Sequence, residues 1–284
     1  MRLLKLREEV LKMNDRLHAV YLIGKKDFFE TIHSLGIYLT MTLSFGLAAI
    51  VFYIFASQIK DSVLVMSRPV DFIFMFCVVG ISFLYLAVSS VTSIAKEKGD
   101  KTIEVLFYGP VDEISFIFGK YAARILSYIF ILLFSILFIL FSDFFVHLGI
   151  PYDFVKLVIL SIFLISCIIA LGIFLSTLTS SVGGSIVLLI GFFVILFVIG
   201  IISWILSIIP IGMDTTIDLI RNIVVGILNA AKYVSPLEYL GIGWDAISSE
   251  DNGKYILSIL YSGAYSLVFL MASVIILIKR GAKQ

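Results

Sequence analysis

The chain has 284 residues, of which 61% are apolar or aromatic and only 14% charged, with a formal net charge of +1. A soluble domain carries roughly 25% charged residues, so there is too little charge here to cover a water-facing surface. With two cysteines and a mean hydropathy of +1.12, a secreted disulfide scaffold, a disordered chain and a nucleic-acid-binding domain are excluded.

The first 30 positions are charged throughout, without the apolar core or small-residue site of a cleavable secretory signal. Leu3, Leu6, Val10, Met13, Leu17 and Val20 recur three and four apart, along one seam of a helix. Such a helix lies on a membrane surface with its basic face toward headgroups, or docks a partner subunit. Residues 1–34 are therefore expected to form an amphipathic segment ahead of a single membrane domain over 35–284.

Five stretches lack Asp, Glu, Lys and Arg: 31–59, 72–95, 125–142, 157–213 and 255–278. A bilayer-crossing helix needs about 20 apolar residues. Four stretches hold one span each, and the long one holds two. The uncharged polar run at 176–185 separates those two, with Gly183 and Gly184 suited to a tight turn. The expected spans are 35–57, 71–94, 122–142, 155–177, 184–209 and 256–278. Each must be a helix, because hydrocarbon offers backbone groups no other partner. The fold class is thus an all-α membrane protein with six transmembrane helices.

Fifteen of the 21 basic residues fall on the side that holds both termini and the connection after the second span. The positive-inside rule then predicts cytoplasmic termini in a multi-pass protein of the cell membrane. The acidic residues divide evenly between the two sides.

No phosphate-binding loop is present. Gly24-Lys25 is followed by Lys26, and Gly119-Lys120 by Tyr121, where Ser or Thr is required. No hydrolase or zinc-protease motif occurs either. Cys77 and Cys167 sit mid-span as small packing residues, and His18, His33 and His147 flank different elements without metal-ligand spacing. The spans are expected to be free of ionisable groups except at their ends, where Asp71, Asp143, His147 and Asp153 fall. A proton relay inside a helix is therefore not expected.

The connection over 95–120 carries the strongest signal. Gly99-Asp100 marks a break, and Thr102 can cap a short helix. Ile103, Leu106 and Phe107 share a face, Gly109-Pro110 stops the helix, and Asp112 is a second cap. Gly119 allows close packing where the third span opens. An amphipathic element of this kind suits a socket on a soluble partner.

At these residues the chain resembles the permease subunit of a type-2 ABC transporter, the exporter-like class. The family's pattern is matched at Glu97, Lys98, Thr102, Ile103, Glu104, Leu106, Pro110, Val111, Gly119 and Lys120. Two positions depart from it. Lys101 stands where the family usually has Gly, and Gly99 where an acidic residue is common. The resemblance extends to the six-span layout, the charged N-terminal elbow and the Ser235-Pro236-Leu237 stretch. It implies that 102–108 is a coupling helix seated in a cleft of an ATP-binding subunit, with Glu97 and Glu104 as charged contacts. ATP and Mg would be held by that partner, and this chain would bind no cofactor and catalyse nothing. A second permease, identical or not, and membrane lipid would complete the assembly, and the direction would be export. A sodium-coupled carrier using backbone carbonyls and a non-transporting scaffold remain alternative readings.

Over the outer connection, 210–255, the seam Ile217, Ile220, Val224, Ile227, Leu228 and Ala231 predicts an interfacial helix. Tyr239, Trp244 and Tyr255 look like headgroup-level anchors. Gly183, Gly184, Gly191 and Gly200 on the fifth span suit close helix contact.

Overall fold

The computed structural model describes residues 2–60, 68–107, 111–147, 149–208, 219, 222–223, 225–227 and 234–281, with side chains except at 2–15, 58–60, 104–105, 107, 203, 206–207 and 280–281. Most of the predicted outer interfacial helix lies outside the described residues, as does Pro110. All regular elements described are helical: α1 (Arg2–Ile32), α2 (Leu35–Lys60), α3 (Pro69–Ile73), a π-helical turn (Phe74–Val79), α4 (Gly80–Gly99), α5 (Thr102–Phe107), α6 (Glu113–Val146), α7 (Phe154–Leu178), α8 (Val182–Ile208), α9 (Pro236–Ser248) and α10 (Asn252–Gly281).

Six stretches are long and apolar enough to cross a membrane: Leu35–Ser57, Pro69–Gly99, Glu113–Val146, Phe154–Leu178, Val182–Ile202 and Asn252–Lys279. They match the expected spans in order. Several run past the apolar interval, because a helix, once nucleated, propagates through any residue that does not break its hydrogen bonding. Lys96, Glu97 and Lys98 therefore ride on the last turn of α4, and Lys120 and Arg124 on α6.

The turn between α7 and α8 is placed differently from the sequence expectation. Thr179 is extended (φ −114°, ψ 161°), and α8 already starts at Val182. Gly183 and Gly184 thus lie in the first helical turn rather than in the link. The Ser181 hydroxyl accepts from the Gly184 N–H at 3.2 Å, so a serine cap sets the start.

The core is organised around α7, which packs on α4 and α10. Against α4 the approach is close. A Cβ at Gly172 would stand 2.7 Å from the Ser90 Cβ and 3.2 Å from the Val91 nitrogen. One turn on, the Ser176 hydroxyl accepts from the Ile94 and Ala95 N–H groups at 3.0 and 2.9 Å. Lys98 then donates to the Thr177 carbonyl at 2.7 Å, a cation placed on the free carbonyls of the α7 C-terminus. Toward α10 the seam is made of small polar groups. Ser166 and Ser266 hydroxyls meet at 2.8 Å, and Cys167 donates to the Ser262 carbonyl at 3.3 Å. Such groups have no water to compete for them in a bilayer, so each mutual bond fixes helix rotation.

α9 folds back onto this core. Gly243 lets it approach Leu160, and the Ser258 hydroxyl donates to the Tyr239 carbonyl at 2.7 Å. The expected headgroup anchoring needs correcting for two aromatics. Tyr239 and Tyr255 are buried, and the Tyr255 hydroxyl donates to the Lys156 carbonyl at 2.9 Å. Their rings fill the junction of α9, α10 and α7 because packing between helices removes more apolar surface than a position at the rim. Trp244 is partly buried against the same core.

Candidate functional site

The segment singled out by its spacing forms a bent bracket at one end of the molecule. α4 ends at Gly99, with the Asp100 and Lys101 N–H groups donating to the Lys96 and Lys98 carbonyls at 2.9 and 3.2 Å. Lys101 then adopts φ +57°, the left-handed conformation that glycine takes at lowest cost. The position where this chain departs from the family's Gly is therefore the one that needs the unusual backbone. α5 follows at once. Thr102 does not cap it with its side chain. Its hydroxyl donates back to the Glu97 carbonyl at 3.2 Å and satisfies one of the free carbonyls at the end of α4.

Ile103 is buried and Leu106 is partly buried against the main core, so these two hold α5 to the membrane domain. Thr102 is exposed. The backbones of Glu104 and Phe107 belong to α5, while their side chains lie outside the described residues. Asp112 caps α6 as expected, its carboxylate accepting from the Ser115 N–H at 3.1 Å.

Glu97 and Lys120 meet, although 23 positions separate them. Lys120 Nζ stands 2.6 Å from Glu97 Oε1 and 2.9 Å from Asp27 Oδ2, and 5.1 Å from the centre of the Phe116 ring. The Lys120 side chain is 4% exposed. A lysine this deep is retained only when it is paired, and deleting one member of a buried ion pair costs about 3–5 kcal/mol. The cluster ties three elements together: α1 through Asp27, the end of α4 through Glu97, and α6 through Lys120. Gly119 explains the fit. A Cβ there would stand 2.9 Å from Ile23 side-chain atoms and 3.2 Å from the Val20 carbonyl oxygen, and Gly24 of α1 faces the Gly119 carbonyl. Two glycines thus let α1 cross α6 at the level of the lysine.

Two further ties flank this crossing. Arg124 Nη1 donates to the Thr31 hydroxyl at 2.5 Å. Arg16 pairs with Asp112 at 2.8 Å. Burial pushes the Asp112 carboxyl up, but the Ser115 hydrogen bonds and Arg16 outweigh it and hold the group below the usual carboxylate range.

Asp27, Thr31, Arg16, Phe116 and Arg124 were not singled out by the sequence. Asp27 and Thr31 stand 93 positions before Lys120 and Arg124, and no local pattern links residues that far apart. A usable signal was present in Gly24 and Gly119: Gly119 was read as a point of close packing at the start of the third span, but its partner Gly24 was read only as part of a failed phosphate loop.

A second feature lies on the other side of α4. An open groove of about 880 Å³ runs between α4 and α8, lined almost wholly by apolar side chains including Phe83, Ala87, Phe193, Phe197 and Trp204. Among the described residues, a Cβ added at Gly183, Gly191 or Gly200 would meet nothing within 4 Å, so these three glycines of α8 make no close approach there. Among the described residues no group of three or more His, Cys, Asp or Glu comes together to hold a metal.

Compared with known families, residues 21–281 match the family described as ABC-2 family transporter protein. No curated protein matches the chain.

Proposed function

Because this chain belongs to the ABC-2 transporter family, a family of multi-pass, non-catalytic permeases, we propose that it is the membrane subunit of an ATP-driven exporter whose ATP is hydrolysed by a separate subunit. It sits in the cell membrane with both termini in the cytoplasm. α5 is the coupling helix, and it seats in a cleft of the ATP-binding subunit, which holds ATP and Mg.

The observation that carries the reading is the mechanical continuity of the bracket. α5 leaves α4 through one left-handed residue, and α4 is fixed to α6 and α1 by the buried Lys120 cluster. A push on α5 would therefore move α4, α6 and the N-terminal helix together rather than bend a loop. A ligand-driven change needs such an element, one that packs in both states and differs in its contacts with the partner. In this arrangement Glu97 belongs to the internal clamp, and Thr102 and Glu104 remain as the polar positions facing the ATPase.

A second permease covers the α4–α8 groove. These glycines of α8 suit a second helix surface, and an apolar path suits an amphipathic or lipid-like cargo.

Co-purification of the full chain with an ATP-binding subunit in mild detergent tests this. The expected result is a stoichiometric complex that Glu104→Arg dissociates while the six helices stay folded. A complex that survives Glu104→Arg with full coupled ATPase activity would overturn the coupling assignment.

A further inference from the structure

Behind the Lys120 cluster lies a polar cavity of about 360 Å³, walled by the end of α1, one face of α4 and the start of α6. Its lining holds four basic and four acidic side chains. Its inner end reaches Tyr85 and Ser89, within the apolar span Pro69–Gly99, and its outer end reaches Asp100 and Thr102. A polar groove that begins among charged residues and ends at membrane depth is suited to a molecule that also straddles that boundary.

The donors at the inner end are not spent. The only hydrogen bond of Arg124 among the described residues is the one to Thr31, and no carboxylate there lies within ion-pair distance of it. A guanidinium carries five N–H donors in a fixed fork that matches phosphate oxygens. The Tyr85 hydroxyl reaches only the Ser34 hydroxyl, at 3.5 Å, and the Ser89 hydroxyl makes no hydrogen bond among the described residues. Tyr85 and Ser89 stand four apart on α4, so both face the cavity on the same side of that helix. Lys120, by contrast, is already held by Asp27 and Glu97. At the outer end, Asp100 forms no ion pair among the described residues, whereas Glu30 adjoins Thr31 on α1 and its charge acts on Arg124. Basic and acidic side chains balance, so a bare anion would meet as many carboxylates as cations. A zwitterion would meet the complement of both its charges.

We propose that this cavity binds a zwitterionic phosphate ester, with Arg124, Tyr85 and Ser89 on the phosphate and Asp100 facing the ammonium. The depth of the phosphate end favours a phospholipid headgroup of the phosphoethanolamine type over a soluble ester. A lipid seated here wedges between α1 and α4, the two elements that the Lys120 cluster joins.

The test is native mass spectrometry of the purified full chain in detergent, titrated with short-chain phosphatidylethanolamine, phosphatidylglycerol, diacylglycerol or soluble phosphoethanolamine. The expected result is saturable binding of phosphatidylethanolamine, about tenfold weaker in Arg124→Gln. Arg124→Lys falls between, since it keeps the charge but loses the fork. Tyr85→Phe, which leaves every charge in place, weakens binding about threefold on the scale of one neutral hydrogen bond. Soluble phosphoethanolamine competing at similar concentration supports the same chemistry with a soluble source. Equal binding of diacylglycerol or phosphatidylglycerol, or unchanged affinity in both Arg124→Gln and Tyr85→Phe, overturns the proposal.

Discussion

α7 and α8 are neighbours joined by three residues, and α8 is the slightly more apolar of the two. Yet the apolar window of α7 is 72% buried inside the chain and that of α8 only 11%. Apolarity sends both into the bilayer and does not choose which becomes the core, because lipid tails are as apolar as Leu. The choice is made by small and polar groups that can interlock. α7 brings Ser161, Ser166, Cys167, Gly172, Ser176 and Thr177, all buried and most of them hydrogen-bonded to other elements or to their own helix. A Cβ added at Gly191 or Gly200 of α8 would meet nothing within 4 Å among the described residues, and its outward face presents Val187, Ile195 and Phe197.

The contrast can be broken most strongly at Gly172. Gly172→Leu drives a side chain into Ser90 and the backbone of α4, and overpacking of this kind costs about 3 kcal/mol. Thermal unfolding in detergent should show a large loss of stability, and an unchanged midpoint would remove α7 as the centre of the core. Ser176→Ala takes away the acceptor shared by Ile94 and Ala95, at a cost of about 1 kcal/mol. The same measurement should show a smaller but resolved drop.

Asp112 tests the bracket independently of both helices. Its carboxyl is held below its ordinary value, so its contribution is complete above about pH 4 and fades as pH falls through the depressed folded value. Asp112→Ala should cost about 1 kcal/mol at neutral pH, mostly through the lost α6 cap, since the partner Arg16 is exposed. The difference between variant and parent should shrink in acid. A difference that stays constant down to pH 2 would show that the cap is not ionised. Lys101→Gly relieves the left-handed residue and should stabilise the chain by about 1 kcal/mol. The smallest effect is expected at Gly200→Leu. It should leave the isolated chain's midpoint unchanged while weakening the proposed pairing with a second permease in crosslinking or mass photometry. A destabilised single chain would instead show that α8 packs within it.

Much of this was legible in the residues. Charge-free intervals located the spans, because the cost of a charge in hydrocarbon is paid residue by residue. The Asp112 cap was legible because a cap is a three-residue affair. The α7–α8 turn was misplaced because Gly183 and Gly184 outweighed Ser181, and both glycines proved to be helical. The buried settings of Tyr239 and Tyr255 were not legible, because the sequence does not say whether α9 lies on the membrane or folds under it.

The sequence by itself determined six apolar helices, their order and a charged insertion between the second and third, since hydropathy and local hydrogen bonding act over a turn or two of chain. Only the tertiary structure decided that Lys120 closes on Asp27 and Glu97, that α7 and not α8 is the core, and that Arg124 faces a polar cavity. Those outcomes depend on which surfaces meet across tens of residues, and in a medium as apolar as the helices themselves that is settled by fit and by paired polar groups rather than by composition.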